Sequence, residues 1–112
     1  MNRVCLVGRL VRDVFVAGGG KVAKCTLATS AGWDRKRMEE ITAFVPVTMF
    51  DLSPKVVEKL KKGQLLAVEG RVERHSYDKK GEKVYTTEVT AAGGGVKLVG
   101  TPREREGAEN EE

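Results

Sequence analysis

The sequence predicts a single all-β domain. Its 112 residues can bury one hydrophobic core but not two. Thirteen glycines and many valines and threonines are typical of short strands joined by tight turns. Only one short segment has the apolar spacing of a helix. We therefore read the chain as a succession of strands interrupted once.

The first predicted strand, VCLVGRLVRD, begins at Val4 and is apolar on both faces. Because side chains alternate along a strand, two rows result: Val4, Leu6 and Leu10, and then Cys5, Val7 and Val11. A strand that is apolar on both faces must be covered on both. We expect the domain core on one face and a second subunit on the other, with the interface formed by Val4, Cys5, Leu6 and Val7.

The next segments predict a hairpin, a loop and a third strand. AGGG at 17–20 is a flexible turn, and VAKCTLATS after it alternates as a strand that forms a hairpin with the first. Residues 31–40 are polar and predict a loop, which contains the only tryptophan, Trp33. The third strand, TAFVPVTMF, places Val45, Val47 and Met49 on an inner face.

DLSPKVVEKLKKG predicts a helix of about three turns, capped by Ser53 and stopped by Gly63. QLLAVEGRVERHSY and VYTTEVTAA then form a second hairpin around the tip DKKGEK. A short α-helix between strands 3 and 4 of a five-stranded antiparallel set indicates a Greek-key barrel of the oligonucleotide-binding type, the OB-fold. AGGGVKLVG ends the predicted domain at residue 100, and 101–112 predict a short acidic disordered tail.

Charge favours a polyanionic partner. Residues 1–100 hold 18 basic and 11 acidic side chains, a net charge of +7. No metal-ligand spacing, phosphate-binding loop or nucleophile motif appears, and His75 is the only histidine. We therefore expect a protein that is not an enzyme and that uses no metal and no cofactor.

Cys5 and Cys25 predict buried free thiols in a reducing compartment, with a disulfide as the alternative. No segment has the length of a signal peptide or a membrane span, which predicts a cytoplasmic protein with no membrane partner.

Four aromatic residues lie outside the aliphatic rows and near basic residues: Trp33, Phe44, Phe50 and Tyr77. Aromatic rings stack on the bases of single-stranded nucleic acid while lysine and arginine contact phosphates. A phenylalanine in a strand is more often part of a core, and the four positions taken together favour stacking. Phe15 and Tyr85 are assigned to packing. The candidate phosphate contacts are Arg3, Arg35, Lys36, Arg37, Lys61, Lys62, Arg71, Arg74, Lys79 and Lys80.

Over residues 1–100 the sequence resembles the bacterial and phage single-stranded DNA-binding protein family. The matching segments are MNRVCLVGRLVRD, KVAKCTLATS before Trp33, FVPVTMF, KLKKGQLLAVEGRV and Y…GEKVYTTEV. The resemblance implies an OB-fold, dimers and usually tetramers assembled through the first strand, and sequence-independent coating of DNA beside the nucleoid. It also implies stacking by Trp33, Phe44, Phe50 and Tyr77, and DNA contacts by Arg3 and Lys62.

Two features depart from the family pattern. The sequence ends in GAENEE, without the Pro-Phe of the family's acidic tip, so the resemblance does not carry over recruitment of replication and repair proteins. VFVAGGGK lacks the tyrosine and proline often found before the second strand. A replication-restart accessory protein that acts through protein partners and an RNA-binding protein remain the alternatives, with a nuclease a distant fourth.

Overall fold

The computed structural model describes residues 1–100, and the predicted acidic tail lies outside them. Within that range the elements follow one another along the chain in a fixed order. They are β1 Val4–Leu10, β2 Phe15–Ala17, β3 Val22–Asp34, β4 Glu39–Phe50, α1 Pro54–Glu58, β5 Leu65–Lys79, β6 Glu82–Ala92 and β7 Val96–Val99.

Five of these strands close into a barrel. The hydrogen-bonded order is β1, β3, β4, β6 and β5, and β5 pairs again with β1. All but one of these pairings are antiparallel; β4 and β6 run parallel from Val47 beside Val89 to Phe50 beside Ala92. The predicted all-β barrel with a helix between its third and fourth strands is confirmed. The sequence predicts that all five strands pair antiparallel, and this prediction is wrong for β4 and β6.

The core lies inside the barrel and follows strand alternation. Leu27 of β3 and Val47 and Met49 of β4 are fully buried, together with Leu10 and Leu66. Val45 is partly buried against the same cluster. The predicted inner row of β4 is therefore correct. Burial of each of these aliphatic side chains contributes about 1.5 to 3 kcal/mol, which holds the barrel closed.

Helix α1 is shorter than predicted. Ser53 Oγ accepts a hydrogen bond from the backbone N–H of Val56 at 3.3 Å, and Pro54 occupies the first turn, as expected for a capped start. The helix ends at Glu58, and Leu60 beyond it is buried in the core. The carbonyl of Leu60 then accepts a hydrogen bond from the N–H of Val14, which ties the end of the helix to the segment before β2.

Two hairpins extend past the barrel as arms. The β3–β4 arm pairs as far as Asp34 opposite Glu39, so the predicted loop at 31–40 is mostly strand and only the turn between these two residues is a loop. The β5–β6 arm ends in a two-residue turn at Lys80 and Gly81, which both have positive φ, and the predicted second hairpin is correct. Pairing overrides polar composition here because the ladder satisfies backbone hydrogen-bonding groups that a loop would leave to solvent.

Two further connections differ from the sequence interpretation. The AGGG turn joins the short β2 to β3, and β1 meets β3 only at Arg9 opposite Ala28 and Leu10 opposite Leu27. The second GGG is a tight turn into β7, a strand that the sequence did not separate and that pairs with β5.

That second turn provides a test of the packing. A Cβ on Gly95 would lie 2.3 Å from the carbonyl oxygen of Glu69, whereas a Cβ on Gly94 would meet nothing within 4 Å. We expect Gly95→Ala to lower the free energy of unfolding by about 1 to 3 kcal/mol. Gly94→Ala, the matched control, should unfold like the parent in urea. Equal midpoints for the two variants would contradict the described turn.

The two thiols have different surroundings. Both are free; Cys5 is exposed on the outer face of β1, contrary to the expected burial, and Cys25 is partly buried against the core. Burial raises the pKa of the Cys25 thiol to about 12. No helix among residues 1–100 is long and apolar enough to cross a membrane.

The thiols should therefore react at different rates. At pH 8 the Cys25 thiol stays almost entirely protonated, and the thiolate is the nucleophile. Iodoacetamide followed by peptide mass spectrometry should modify Cys5 first, and Cys25 only after denaturation. If β1 forms a subunit contact, Cys5 should also react faster on dilution below the dissociation range. Faster reaction of Cys25 than of Cys5 in the folded protein would contradict this placement.

Candidate nucleic-acid interface

One side of the barrel carries the residues that face away from the core of β3 and β4. Residues directly opposite in a ladder share a face, and the pairs are Lys24 with Thr48, Thr26 with Pro46, Ala28 with Phe44 and Ser30 with Thr42. We call this outer side, from Glu40 to Phe50 on β4 with the residues paired to it, the aromatic face. Phe44 is 65% exposed there and Phe50 39% exposed.

Pro46 has no backbone N–H, and it lies at a position of β4 that has a neighbouring strand on one side only. It lies opposite Thr26 of β3, and the parallel pairing of β4 with β6 begins only at the next residue, Val47. The proline therefore sits where one side of β4 has no neighbouring strand.

Trp33 reaches the aromatic face because β3 contains one extra residue. Ser30 pairs with Thr42, but Gly32 pairs with Ile41, so Ala31 has no partner and the register shifts. Beyond the shift, Trp33 lies opposite Glu40, on the same side as Phe44. In an uninterrupted ladder the ring would point to the other side. Trp33 is 56% exposed.

The aromatic face is long, and the β5–β6 arm lies beside one end of it. From Glu40, opposite Trp33, to Phe50 the strand spans roughly 33 Å. Near Phe50 the β5–β6 arm rises beside it and forms a groove of about 720 Å³, which we call the arm groove. Phe50 and Tyr77 both line this groove, and Tyr77 is half exposed. The volume of the arm groove falls within the roughly 300 to 1,000 Å³ of ligand-binding clefts.

The arm groove also contains polar residues that sequence reasoning missed. Lys24, His75, Thr86 and Glu88 line it alongside the two rings. His75 Nε2 lies 3.0 Å from Glu73 Oε1, and the other oxygen of Glu73 accepts a hydrogen bond from Arg71 Nε at 2.5 Å. That arginine bond is the main reason that the pKa of the partly buried Glu73 carboxyl is lowered. Cross-strand alternation along β5 and β6 could have signalled these positions.

A second groove lies at the other end of the same side of the barrel. Arg9, Lys62, Ser30, Thr42 and Glu40 contribute to its lining. Lys62 was a candidate phosphate contact, and its backbone N–H donates to Asp13 Oδ1 at 2.8 Å, which fixes the chain at the end of the α1 segment. Basic side chains therefore lie at both ends of the aromatic face.

The ten candidate phosphate contacts have different surroundings, although all are exposed. Arg3 forms an ion pair with Glu69, Arg71 with Glu73, and Arg37 with Asp34 and Glu39 at 4.0 and 3.7 Å. Ion pairs at the surface contribute only about 0 to 1 kcal/mol to the free energy of unfolding. The structure shows no ion pair within residues 1–100 for six others: Arg35, Lys36, Lys61, Lys62, Lys79 and Lys80.

Arg74 is placed apart from the arm groove. Its guanidinium lies 4.3 Å from the ring centroid of Tyr85 in a cation–π contact, on the side of the arm opposite Tyr77. Tyr85 is exposed, and Phe15 is 67% exposed, so the assignment of both to packing is wrong. Tyr85 and Val89 share one face of β6, but the arm leaves the barrel between them, so Val89 is buried and Tyr85 is not covered.

The predicted subunit interface divides between the two sides of β1. Val4 and Leu6 pack against the core of their own chain, whereas Cys5 is exposed and Val7 is 57% exposed on the outside. The interface stays a prediction, and Cys5 and Val7 are its accessible side chains.

A closed barrel with exposed rings and basic residues along one side defines the class of OB-fold nucleic-acid-binding domains. Comparison with known proteins narrows the class. Residues 1–98 match the model of the single-strand binding protein family. The chain belongs to that family.

The relatives and a solved structure agree with this membership. The chain is 38% identical over 96 residues to the single-stranded DNA-binding protein of Halalkalibacterium halodurans and, over the same length, to single-stranded DNA-binding protein 1 of Staphylococcus aureus strain MSSA476. These alignments cover 81% of this chain and 57% and 62% of the relatives, so the chain spans about three fifths of their length. The Plasmodium falciparum SSB complex with ssDNA superposes with a TM-score of 0.68 at 25% identity, covering 88% of this chain and 93% of the other.

The position of Trp33 can be tested through the register shift. Gly32 has φ of 138°, which L side chains rarely adopt, so Gly32→Val should favour an uninterrupted ladder that turns Trp33 to the opposite side. Deletion of Ala31 removes the extra residue itself and should leave Trp33 on the aromatic face. We expect oligo-dT to quench Trp33 fluorescence in the deletion variant but less in Gly32→Val. The reverse order of quenching would show that the shift does not orient the ring.

Proposed function

We propose that this protein binds single-stranded DNA without sequence preference and coats it during replication, recombination and repair. The observation that carries the proposal is the aromatic face: Trp33, Phe44 and Phe50 on one side of the β3–β4 ladder, with Tyr77 across the arm groove. A ring stacks on any base, so this arrangement gives affinity without reading sequence. The names of the matched relatives and of the superposed complex support it.

The basic residues supply the second part of the interaction. Lys62 beside one groove, Lys24 in the other and the arm-tip residues Lys79 and Lys80 flank the rings. Phosphate contacts by such residues release counterions, so the affinity should fall as salt rises. Binding by stacking and charge requires no bond to be made or broken, and we propose that the protein is not an enzyme.

Assembly and location are part of the same proposal. Exposed Cys5 and Val7 on β1 provide an apolar strip for a second copy, and we propose a homo-oligomer, a tetramer or a dimer, that acts in the cytoplasm at the nucleoid. The matched proteins are named for single-stranded DNA and give no support to a replication-restart protein that acts mainly through protein partners.

Truncation of the rings tests stacking. Phe44→Ala, Phe50→Ala and Tyr77→Ala should each weaken oligo-dT binding by about 1 to 3 kcal/mol, roughly five-fold to 150-fold in Kd. Because Phe44 is exposed, its variant should melt within about 3 °C of the parent. Fluorescence anisotropy at several salt concentrations measures affinity, and calorimetry measures stability.

The control for this test is Leu27→Ala, which removes a fully buried side chain and should cost about 2 to 5 kcal/mol of stability. Competition between oligo-dT and oligo-U decides between DNA and RNA. Parent protein that binds neither at low salt would refute the proposed function, and ring variants that bind like the parent would refute stacking.

A further inference from the structure

Phe15 is an exposed aromatic residue that neither the core nor the predicted stacking set uses. It is 67% exposed and begins β2, where it pairs directly with Lys24 of β3. Directly opposed residues share a face, and Lys24 is also opposite Thr48 on the aromatic face. The ring of Phe15 therefore lies on the same side of the sheet as Phe50.

The chain on either side of Phe15 holds the ring in that direction. Val14 packs against the core, and its N–H donates to the carbonyl of Leu60 at 3.4 Å. Asp13 accepts a hydrogen bond from the backbone of Lys62 at 2.8 Å, and Val16 pairs with buried Ala23. Because Val14 and Val16 flank Phe15 on the opposite side, alternation directs the phenyl ring outward.

Phe15 adjoins the arm groove. Ala17, Val22 and Phe50 form one cross-strand row that lines the groove, and Phe15, Lys24 and Thr48 form the next row. Strand spacing places the Cα atoms of Phe15 and Phe50 roughly 12 Å apart. The exposed Lys24 lies between the two rings and also lines the groove.

We propose that Phe15 stacks on a nucleobase and that Lys24 contacts the neighbouring phosphate, so that bound single-stranded DNA leaves the arm groove across β2. This proposal rests on the proposed function and extends its binding path. A nucleotide suits this site better than a second copy of the chain does. Its base would stack on the ring and its phosphate would contact Lys24, whereas self-association would bury the charge of Lys24 without a described partner.

The test uses the full chain and labelled oligo-dT. Phe15→Ala and Phe15→Leu should each weaken binding about five-fold or more, since leucine keeps the apolar contact but not the ring, while Phe15→Trp should bind like the parent. Val16→Ala is the matched control, because Val16 is an exposed neighbour on the other side of β2. Lys24→Gln should lower the slope of log Kd against log salt by about 1, and Phe15→Ala should not change that slope.

A direct readout comes from Phe15→Trp in a Trp33→Phe background, where the only indole stands at position 15. Quenching of this indole by oligo-dT supports the proposal. Phe15→Ala that binds like the parent, while Phe50→Ala is impaired, would overturn this inference and leave the proposed function standing. Sedimentation that shows Phe15→Ala to dissociate the protein without DNA would assign the ring to a second copy instead. Failure of the parent to bind oligo-dT would overturn both proposals.

Discussion

The rest of the structure depends on the antiparallel pairing of β3 with β4. The ladder runs from Val22 opposite Phe50 to Asp34 opposite Glu39, and it is the longest interaction between two elements of the described chain. One side of the ladder buries Leu27, Val47 and Met49 in the barrel. Because side chains alternate along β4 and along β3 as far as Ser30, burial of that side turns the intervening residues outward and creates the aromatic face.

This coupling explains how a stable core and an apolar binding surface coexist on the same two strands. Exposed rings would ordinarily favour association or aggregation. Here the buried area comes from the aliphatic row, and Phe44, which is largely exposed, adds little to the core. The arms extend beyond the barrel, where no second layer covers them, and most of their side chains are exposed.

The other functional features are fixed by short connections. The carbonyl of Leu60 and the carboxylate of Asp13 tie the end of the helical segment to the strand that carries Phe15. The β5–β6 arm brings Tyr77 beside Phe50, although the two residues are far apart along the chain. Contacts between distant segments of the chain thus set the positions of these rings.

The sequence by itself determined the barrel, its helix position and the parity of β4, because alternation and capping are local properties that apolar residues report directly. It also picked out Trp33 and Tyr77 by their basic neighbours. Tertiary structure decided the rest. The unpaired Ala31 turns Trp33 onto the aromatic face, and only the partner strand reveals that shift. Phe15 lies between valines in the sequence, but its pairing with Lys24 places it on the side of the aromatic face. Tyr85 shares a strand face with buried Val89, and its exposure depends on where the covering layer ends, which no local pattern records.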